Sequence, residues 1–218
     1  MLNKQTKMLR LSALSLAVAG AMSVAAPTVA NAEVSASVGI ANMYLWRGQD
    51  LGQGDAAVSG DLSYSNSGFY TGIWASSGDA ALGAEYDLYA GYGAEFSGVS
   101  VDVSVWTYTY PQAGSTDDPG ELSDAVISLG FAGLSATVYD NIAGGSGSIY
   151  YTLGYSYDAF SILVGKHDLT GDEDENMMHV DLGYAYNDNL SFTISQQVDN
   201  EGDNGKPKFV VGYSLPIE

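Results

Sequence analysis

Large apolar residues and small or polar residues alternate with a period of two through nearly the whole chain after residue 33. Within 84–96, for example, Ala84, Tyr86 and Leu88 begin one face, while Glu85 and Asp87 begin the other. Side chains of a strand point alternately to opposite sides, so this period predicts β-structure, and no segment shows a convincing helical period of 3.6. The predicted strands are 34–46, 55–65, 69–77, 83–96, 99–110, 121–130, 133–141, 148–158, 160–167, 177–187, 190–199 and 208–215.

The connections between these strands alternate between short and long. The short ones use Gly, Asn, Asp and Ser, which tolerate hairpin dihedrals, whereas the longer ones are polar and several are acidic. An even strand number with short turns at one end and long loops at the other is typical of outer-membrane barrels, with both termini on the periplasmic side. The short turns are 66–68, 97–98, 130–133, 158–159 and 187–189, and the long loops are 47–54, 78–82, 111–120, 142–147, 168–176 and 200–207.

The apolar faces of such a barrel are expected to point outward, toward lipid. A soluble barrel points its large apolar residues inward, but twelve strands would then enclose a hollow too wide for side chains to fill. Acyl chains solvate an outward apolar face, and closure satisfies the backbone groups that an open sheet exposes in lipid. The sequence therefore predicts an all-β transmembrane barrel of antiparallel up-and-down strands.

Aromatic residues near the strand ends suggest two interfacial girdles, although Tyr and Trp are also simply good strand formers. Asp124 conflicts with a lipid-facing register because it shares its predicted face with Leu122 and Val126. Lys166 and Gln196 also share apolar faces, but near the long-loop ends, where a polar group reaches water. The girdle candidates are Tyr44, Trp46, Tyr64, Phe69, Tyr70, Trp106, Tyr108, Tyr110, Tyr139, Tyr157, Phe160, Tyr184 and Tyr186.

Residues 1–32 have the order of a cleavable secretory signal peptide. Lys4, Lys7 and Arg10 precede a mostly apolar run, and Ala30-Asn31-Ala32 forms a small-x-small cleavage site. A membrane anchor is the alternative, but the apolar run is short and ends in small residues. We therefore expect a signal peptide at 1–32, an outer-membrane β-barrel at 33–218, and export to the cell outer membrane.

Charge narrows the range of partners. All 26 acidic residues follow residue 32, but only four of the 7 basic residues do, so the expected mature chain carries a formal charge of −22, which is 4 minus 26. This charge argues against a nucleic-acid partner and against peripheral docking on anionic lipid. The chain has no cysteine and hence no disulfide. Expected partners are outer-membrane lipid, lipopolysaccharide and small hydrophilic solutes, and an oligomer is possible.

Four segments carry a family resemblance: 44–48 (YLWRG), 55–60 (DAAVSG), 67–74 (SGFYTGIW) and 85–92 (EYDLYAGY). They resemble the TorF-type putative porins, a family of small proteobacterial outer-membrane proteins, most specifically over 34–110. The resemblance implies an outer-membrane pore but no defined substrate. The chain departs from many outer-membrane barrels at its end, where Leu215-Pro216-Ile217-Glu218 replaces a terminal aromatic residue.

Carboxylates on the polar faces are the candidates for lining a pore, because a ring of acids in a narrow lumen concentrates cations and repels anions. Hydrated carboxylates without a selective role are the alternative. Arg47 is the only arginine after the expected cleavage site; it either pairs with lumen carboxylates to fix a constriction or is a loop cation near lipid headgroups. The pore-lining candidates are Arg47, Asp61, Glu85, Asp87, Glu95, Asp102 and Asp181.

Other chemistries find little support in the sequence. Asp172, Asp174 and Asn176 alternate like the start of a calcium loop, but the glycine and distal glutamate of that motif are absent. No Gly-x-Ser-x-Gly elbow accompanies the two histidines, so no enzyme activity, metal site or cofactor is expected. The sequence predicts a porin for passive diffusion of small hydrophilic solutes with a cation preference. The alternative is a non-conducting structural or adhesive barrel that acts through its acidic loops.

Overall fold

Twelve antiparallel strands close into a barrel in the computed structural model, which describes residues 32–114, 116–145, 147–168, 177–198 and 205–217. Two further strands, β2 and β3, form a separate hairpin. No helix in these described ranges is long and apolar enough to cross a membrane. The strands are β1 (Glu33–Ala41), β2 (Leu45–Trp46), β3 (Gln49–Asp50), β4 (Ala57–Asn66), β5 (Phe69–Asp79), β6 (Gly83–Phe96), β7 (Val99–Thr109), β8 (Leu122–Phe131), β9 (Leu134–Ala143), β10 (Ile149–Tyr157), β11 (Phe160–Asp168), β12 (Met177–Ala185), β13 (Leu190–Gln197) and β14 (Lys208–Ile217).

The strands form an up-and-down meander, and β1 closes the ring by pairing with both β4 and β14. Glu33 lies opposite Ser65 and Ala36 lies opposite Ile217, so both ends of the barrel domain lie beside the short turns. Three of these turns have positive φ at both central positions, as in 67–68, where φ is 53° and 90°. This pattern defines type I′ turns, whose twist matches that of a hairpin. The predicted barrel class and strand number are confirmed.

Exposure of the side chains confirms that the barrel turns its apolar faces outward. On β7, Val103 is 52% exposed, whereas the adjacent Asp102 and Ser104 are 3% and 4% exposed. On β10, Leu153 is 61% exposed and Tyr150 only 1%. A soluble barrel shows the opposite arrangement, so this inside-out construction is that of a transmembrane barrel.

The face prediction for β8 was wrong. Asp124 and Val126 are both buried inside the barrel, and Ile127 and Leu129 are the exposed residues. Asp124 and Val126 share a face, as the sequence indicated, but the unbroken register with β7 sets them opposite the buried, inward-facing Trp106 and Ser104. The register shift lies in β9, where Ala143 and Asn141 pair with the successive residues Ser123 and Asp124. Lys166 and Gln196 are exposed on outward faces at the long-loop end, as expected.

The first predicted strand, 34–46, was too long. The β1 ladder ends at Ala41, and the Asn42 side chain then takes over the pairing with β14. Its Oδ1 accepts the Val211 amide at 2.6 Å, and its Nδ2 donates to the Phe209 carbonyl at 3.1 Å. These bonds satisfy the backbone groups of β14 where the chain after Ala41 leaves the barrel wall. Leu45 then packs in a small apolar cluster with Ala41 and Val210.

Candidate functional site

The segment between β1 and β4, which includes the predicted long loop 47–54, folds into the lumen. The Tyr44 hydroxyl donates to Glu85 on β6. His167 Nε2 on β11 donates to the Arg47 carbonyl at 3.1 Å, and Gln197 Nε2 on β13 donates to the Gly48 carbonyl at 3.1 Å. Because β6, β11 and β13 lie on different parts of the ring, the β2–β3 hairpin crosses the lumen from one wall to another.

Gly48 permits the close approach of this hairpin to the wall. Its φ is +82°, in the region that favours glycine, and a Cβ there would lie 2.5 Å from His179 Cγ. His179 itself is fully buried on β12. The hairpin tip therefore seats against β12 only with glycine at this position.

One carboxylate and three aromatic rings surround the Arg47 guanidinium. Its Nη2 is 2.8 Å from Asp124 Oδ2, and both side chains are more than nine-tenths buried. Its Cζ lies 4.5 Å from the ring centroids of Trp46 and Tyr139 and 4.8 Å from that of Tyr150. The ion pair joins one guanidinium nitrogen to one carboxylate oxygen, so it is not the bidentate contact that the sequence suggested. A hydrogen bond from Nη2 to the Tyr108 hydroxyl at 3.4 Å and the cation–π contacts supply the remaining recognition.

Two neighbours hold the Asp124 carboxylate in place. Tyr108 donates its hydroxyl to Oδ2 at 3.1 Å, and Asn141 Nδ2 donates to Oδ1 at 3.0 Å. Tyr139 and Tyr150 are directly paired across β9 and β10, and His167 lies next in the same row on β11. The residues around the Arg47 guanidinium therefore lie on one face of consecutive hydrogen-bonded strands.

Glu85 and Asp87 lie one above the other on the inner face of β6, and both are buried. Glu85 Oε1 accepts the Tyr110 hydroxyl at 2.7 Å, and its other oxygen accepts the Tyr44 hydroxyl. Asp87 Oδ1 has no hydrogen-bond partner. Buried carboxylates are costly unless they are paired, so this part of the lumen attracts cations or donors.

Tyrosine hydroxyls also hold the carboxylates nearer the short turns. Tyr89 donates to Asp61 at 2.8 Å, and Tyr70 donates to Asp102 at 2.9 Å. Gly72 is paired with Tyr89, and Tyr70 is paired with Gly91. A Cβ on either glycine would overlap the tyrosine hydroxyl opposite it. Each tyrosine therefore lies across a glycine, which lets it lean along the wall and reach its acid.

A third group of hydrogen bonds holds the Asp181 carboxylate on β12. His179 Nδ1 donates to Asp181 Oδ1 at 2.9 Å, and His179 Nε2 accepts the Tyr150 hydroxyl at 2.8 Å. His167 lies 4.5 Å from Tyr150 between ring centroids. Both histidines thus contact the hairpin or the residues around the Arg47 guanidinium.

The structure turns most of the sequence-predicted site residues toward the lumen, where they form separate hydrogen-bonded groups. Glu95 is the exception: it lies on the same face of β6 but is exposed, opposite Ser100 beside a short turn. Sequence reasoning missed Asp124, Tyr108, Tyr139 and Tyr150 as site residues. For Asp124 the conflict with an apolar face was a usable signal.

The girdle prediction was half right. Phe69, Tyr157 and Phe160 are exposed outside the barrel at the short-turn end, as are Tyr64, Tyr184 and Tyr186. Others face or enter the lumen, where their hydroxyls and rings make the contacts described above. The inward members are Tyr44, Trp46, Tyr70, Trp106, Tyr108, Tyr110, Tyr139.

The described residues contain no cluster of three or more His, Cys, Asp or Glu side chains that would hold a metal ion. The calcium-like segment 172–176 and the acidic stretch 199–204 lie outside the residues that the structure describes.

An inside-out barrel with a polar, carboxylate-rich interior is a transmembrane β-barrel, and this fold and site belong to that class. The chain belongs to the Gcw_chp family, bacterial proteins of unknown function, whose family profile matches residues 25–206. No curated protein sequence matches the chain. The TorF-type resemblance is therefore not confirmed at the level of a family name.

Solved structures similar to this one are barrels. The KdgM porin has a TM-score of 0.50 at 10% identity, and the match covers 85% of this chain and 100% of that one. A mutant of the Rh. blastica porin has a TM-score of 0.43 at 14% identity, covering 74% and 55%. Outer membrane phospholipase A from Escherichia coli has a TM-score of 0.43 at 10% identity, covering 88% and 93%. At these identities the likeness to KdgM shows the fold alone.

Proposed function

We propose that this protein is an outer-membrane pore of the TorF type for small hydrophilic solutes, exported by a signal peptide at residues 1–32. The observation that carries the proposal is the inverted barrel, in which lipid-compatible side chains lie outside and acids, hydroxyls and amides lie inside. A closed sheet of this kind has its backbone satisfied in lipid and its lumen suited to water.

The lumen prefers cations. Its carboxylates outnumber its described basic groups, Arg47 and the inward-facing Lys208 near Asp50 and Asp181. Arg47 is already paired with Asp124. Low-dielectric walls lined by one sign of charge focus the field and raise the local concentration of the opposite ion. The lumen carboxylates are Asp61, Glu85, Asp87, Asp102, Asp124 and Asp181.

This charge separates the proposed solute from that of a structural neighbour. One structure of the KdgM porin holds disordered oligogalacturonate, a polyanion. An acidic lumen repels such a ligand, so the solutes proposed here are small and neutral or cationic. The β2–β3 hairpin narrows the passage, so the proposed conductance is low.

Planar-bilayer recording of the refolded barrel tests the proposal. Under a KCl gradient the reversal potential should have the sign of a cation-selective pore. The paired change Glu85→Gln and Asp87→Asn should move it toward zero, because the field inside the lumen weakens. Asp158→Asn is the matched control: it removes one charge from a short turn and should leave the potential unchanged. Absence of conductance steps would reject the pore.

A second candidate function is a non-conducting surface barrel. The observation that favours it is the β2–β3 hairpin segment, which crosses the lumen and contacts several strands of the barrel wall. Silence in the bilayer from both the native barrel and a variant with an unseated hairpin would support this alternative.

A further inference from the structure

The site that holds the Arg47 guanidinium is built mostly from the barrel wall. Asp124, Tyr139 and Tyr150 lie on β8, β9 and β10, and Tyr108 lies on β7. Ladder hydrogen bonds join these strands, and Asn141 fixes the second oxygen of Asp124 at 3.0 Å. The site therefore keeps its shape when the hairpin leaves it. We call these four wall residues the arginine cage.

The chemistry of the arginine cage selects one class of cation. Asp124 accepts an N–H at 2.8 Å, while the Tyr139 and Tyr150 rings lie 4.5 and 4.8 Å from the guanidinium carbon. Aromatic faces attract weakly hydrated, delocalised or alkylated cations, and a carboxylate adds charge and direction. A strongly hydrated metal ion would use only the carboxylate, and a neutral solute only the rings.

We propose that the arginine cage is a binding site for small solutes that carry a guanidinium or alkylammonium group, and that Arg47 is its internal ligand. A solute of this class displaces Arg47 and releases the β2–β3 hairpin. The binding site adds a solute class to the proposed pore function. Only its expected effect on conductance rests on that function.

Competition with Arg47 sets how strongly the native protein binds such a solute. A tethered side chain acts at an effective concentration in the millimolar range or above. Free guanidinium must exceed this concentration to enter, so the native cage binds it weakly. Removal of the Arg47 side chain should tighten guanidinium binding by at least about tenfold, because the competitor is gone while the wall stays intact.

The test uses fluorescence and needs no current. The three tryptophans are 46, 74 and 106, so a Trp46→Phe, Trp74→Phe background leaves Trp106 as the reporter. Trp106 lies on the β7 wall directly opposite Asp124 and stays there when the hairpin moves. Guanidinium chloride at millimolar concentrations should change its emission saturably in Arg47→Ala. Urea, which has the same planar shape without charge, should not, and neither should NaCl at equal ionic strength. Adding Asp124→Asn to Arg47→Ala should abolish the response.

Each outcome has a defined meaning. A response to guanidinium no greater than that to urea or NaCl, or one that survives Asp124→Asn, overturns the proposal. If Arg47→Ala does not assemble, the native barrel carries the test: guanidinium should raise its conductance more than NaCl does, and an equal rise refutes displacement. A cage that binds guanidinium in a barrel that never conducts would reject the pore and retain the site.

Discussion

Asp124→Asn is the change that tests most sharply how the hairpin is held. The substitution keeps the size of the side chain but removes the charge that faces Arg47 at 2.8 Å. Losing one partner of a buried ion pair costs about 3–5 kcal/mol. We take the lower value, about 3 kcal/mol, because the amide oxygen still accepts from Arg47 and lumen water reaches the hairpin once it moves.

A loss of that size shifts the ratio of unseated to seated hairpin by about 150-fold, since each 1.4 kcal/mol is a factor of ten. Single-channel recording should show a large rise in the time spent at higher conductance. Asp140→Asn is the matched control, because Asp140 is exposed on the outward face of β9. Conductance and open time equal to those of the native barrel would refute the claim that Arg47 and Asp124 hold the constriction.

Three further changes test other parts of the structure. Gly48→Ala should also unseat the hairpin, because its Cβ would lie 2.5 Å from His179 Cγ at a φ of +82°; channels of unchanged conductance would contradict this. Gln197→Ala removes one hydrogen bond to the hairpin, 3.1 Å long, so its effect on open time should be about fivefold, from about 1 kcal/mol, and far below that of Asp124→Asn. Leu153→Arg places a charge on the outer face midway along β10 and should lower the free energy of unfolding in lipid by about 2–4 kcal/mol. Urea unfolding in vesicles measures this loss against the control Leu153→Phe. Equal stabilities of the two variants would argue against a lipid-facing Leu153.

The sequence predicts which side chains of a strand face inward, because a shift of one residue moves each side chain to the other face. On β6, the separation of Glu85 and Asp87 from Tyr86 and Leu88 is the separation found in the structure. Tyr89 also fell on the polar face in that pattern, so its inward position was predictable. The inward face of Asp124 and Val126 on β8 was not, because it depends on the pairing with β7 rather than on the local sequence.

The hairpin escaped the sequence prediction for a different physical reason. The sequence prediction ended the first wall strand at residue 46 and placed 47–54 in a loop, because no period in 45–50 indicates a hairpin inside the lumen. The hairpin depends on long-range contacts: Asn42 ends the β1 ladder through β14, and only glycine at position 48 fits against His179. The arginine cage was invisible for the same reason, since its members come from four strands.

The central claim is that the apolar face of every strand meets acyl chains and that the polar face encloses water. The chain has no cysteine, so single nitroxide labels on consecutive positions of β10 report this directly by electron paramagnetic resonance in lipid vesicles. Labels at 151, 153 and 155 should be reached by oxygen dissolved in lipid, and those at 152 and 156 by a water-soluble nickel chelate. Equal access along the strand, or the reverse pattern, would contradict the account.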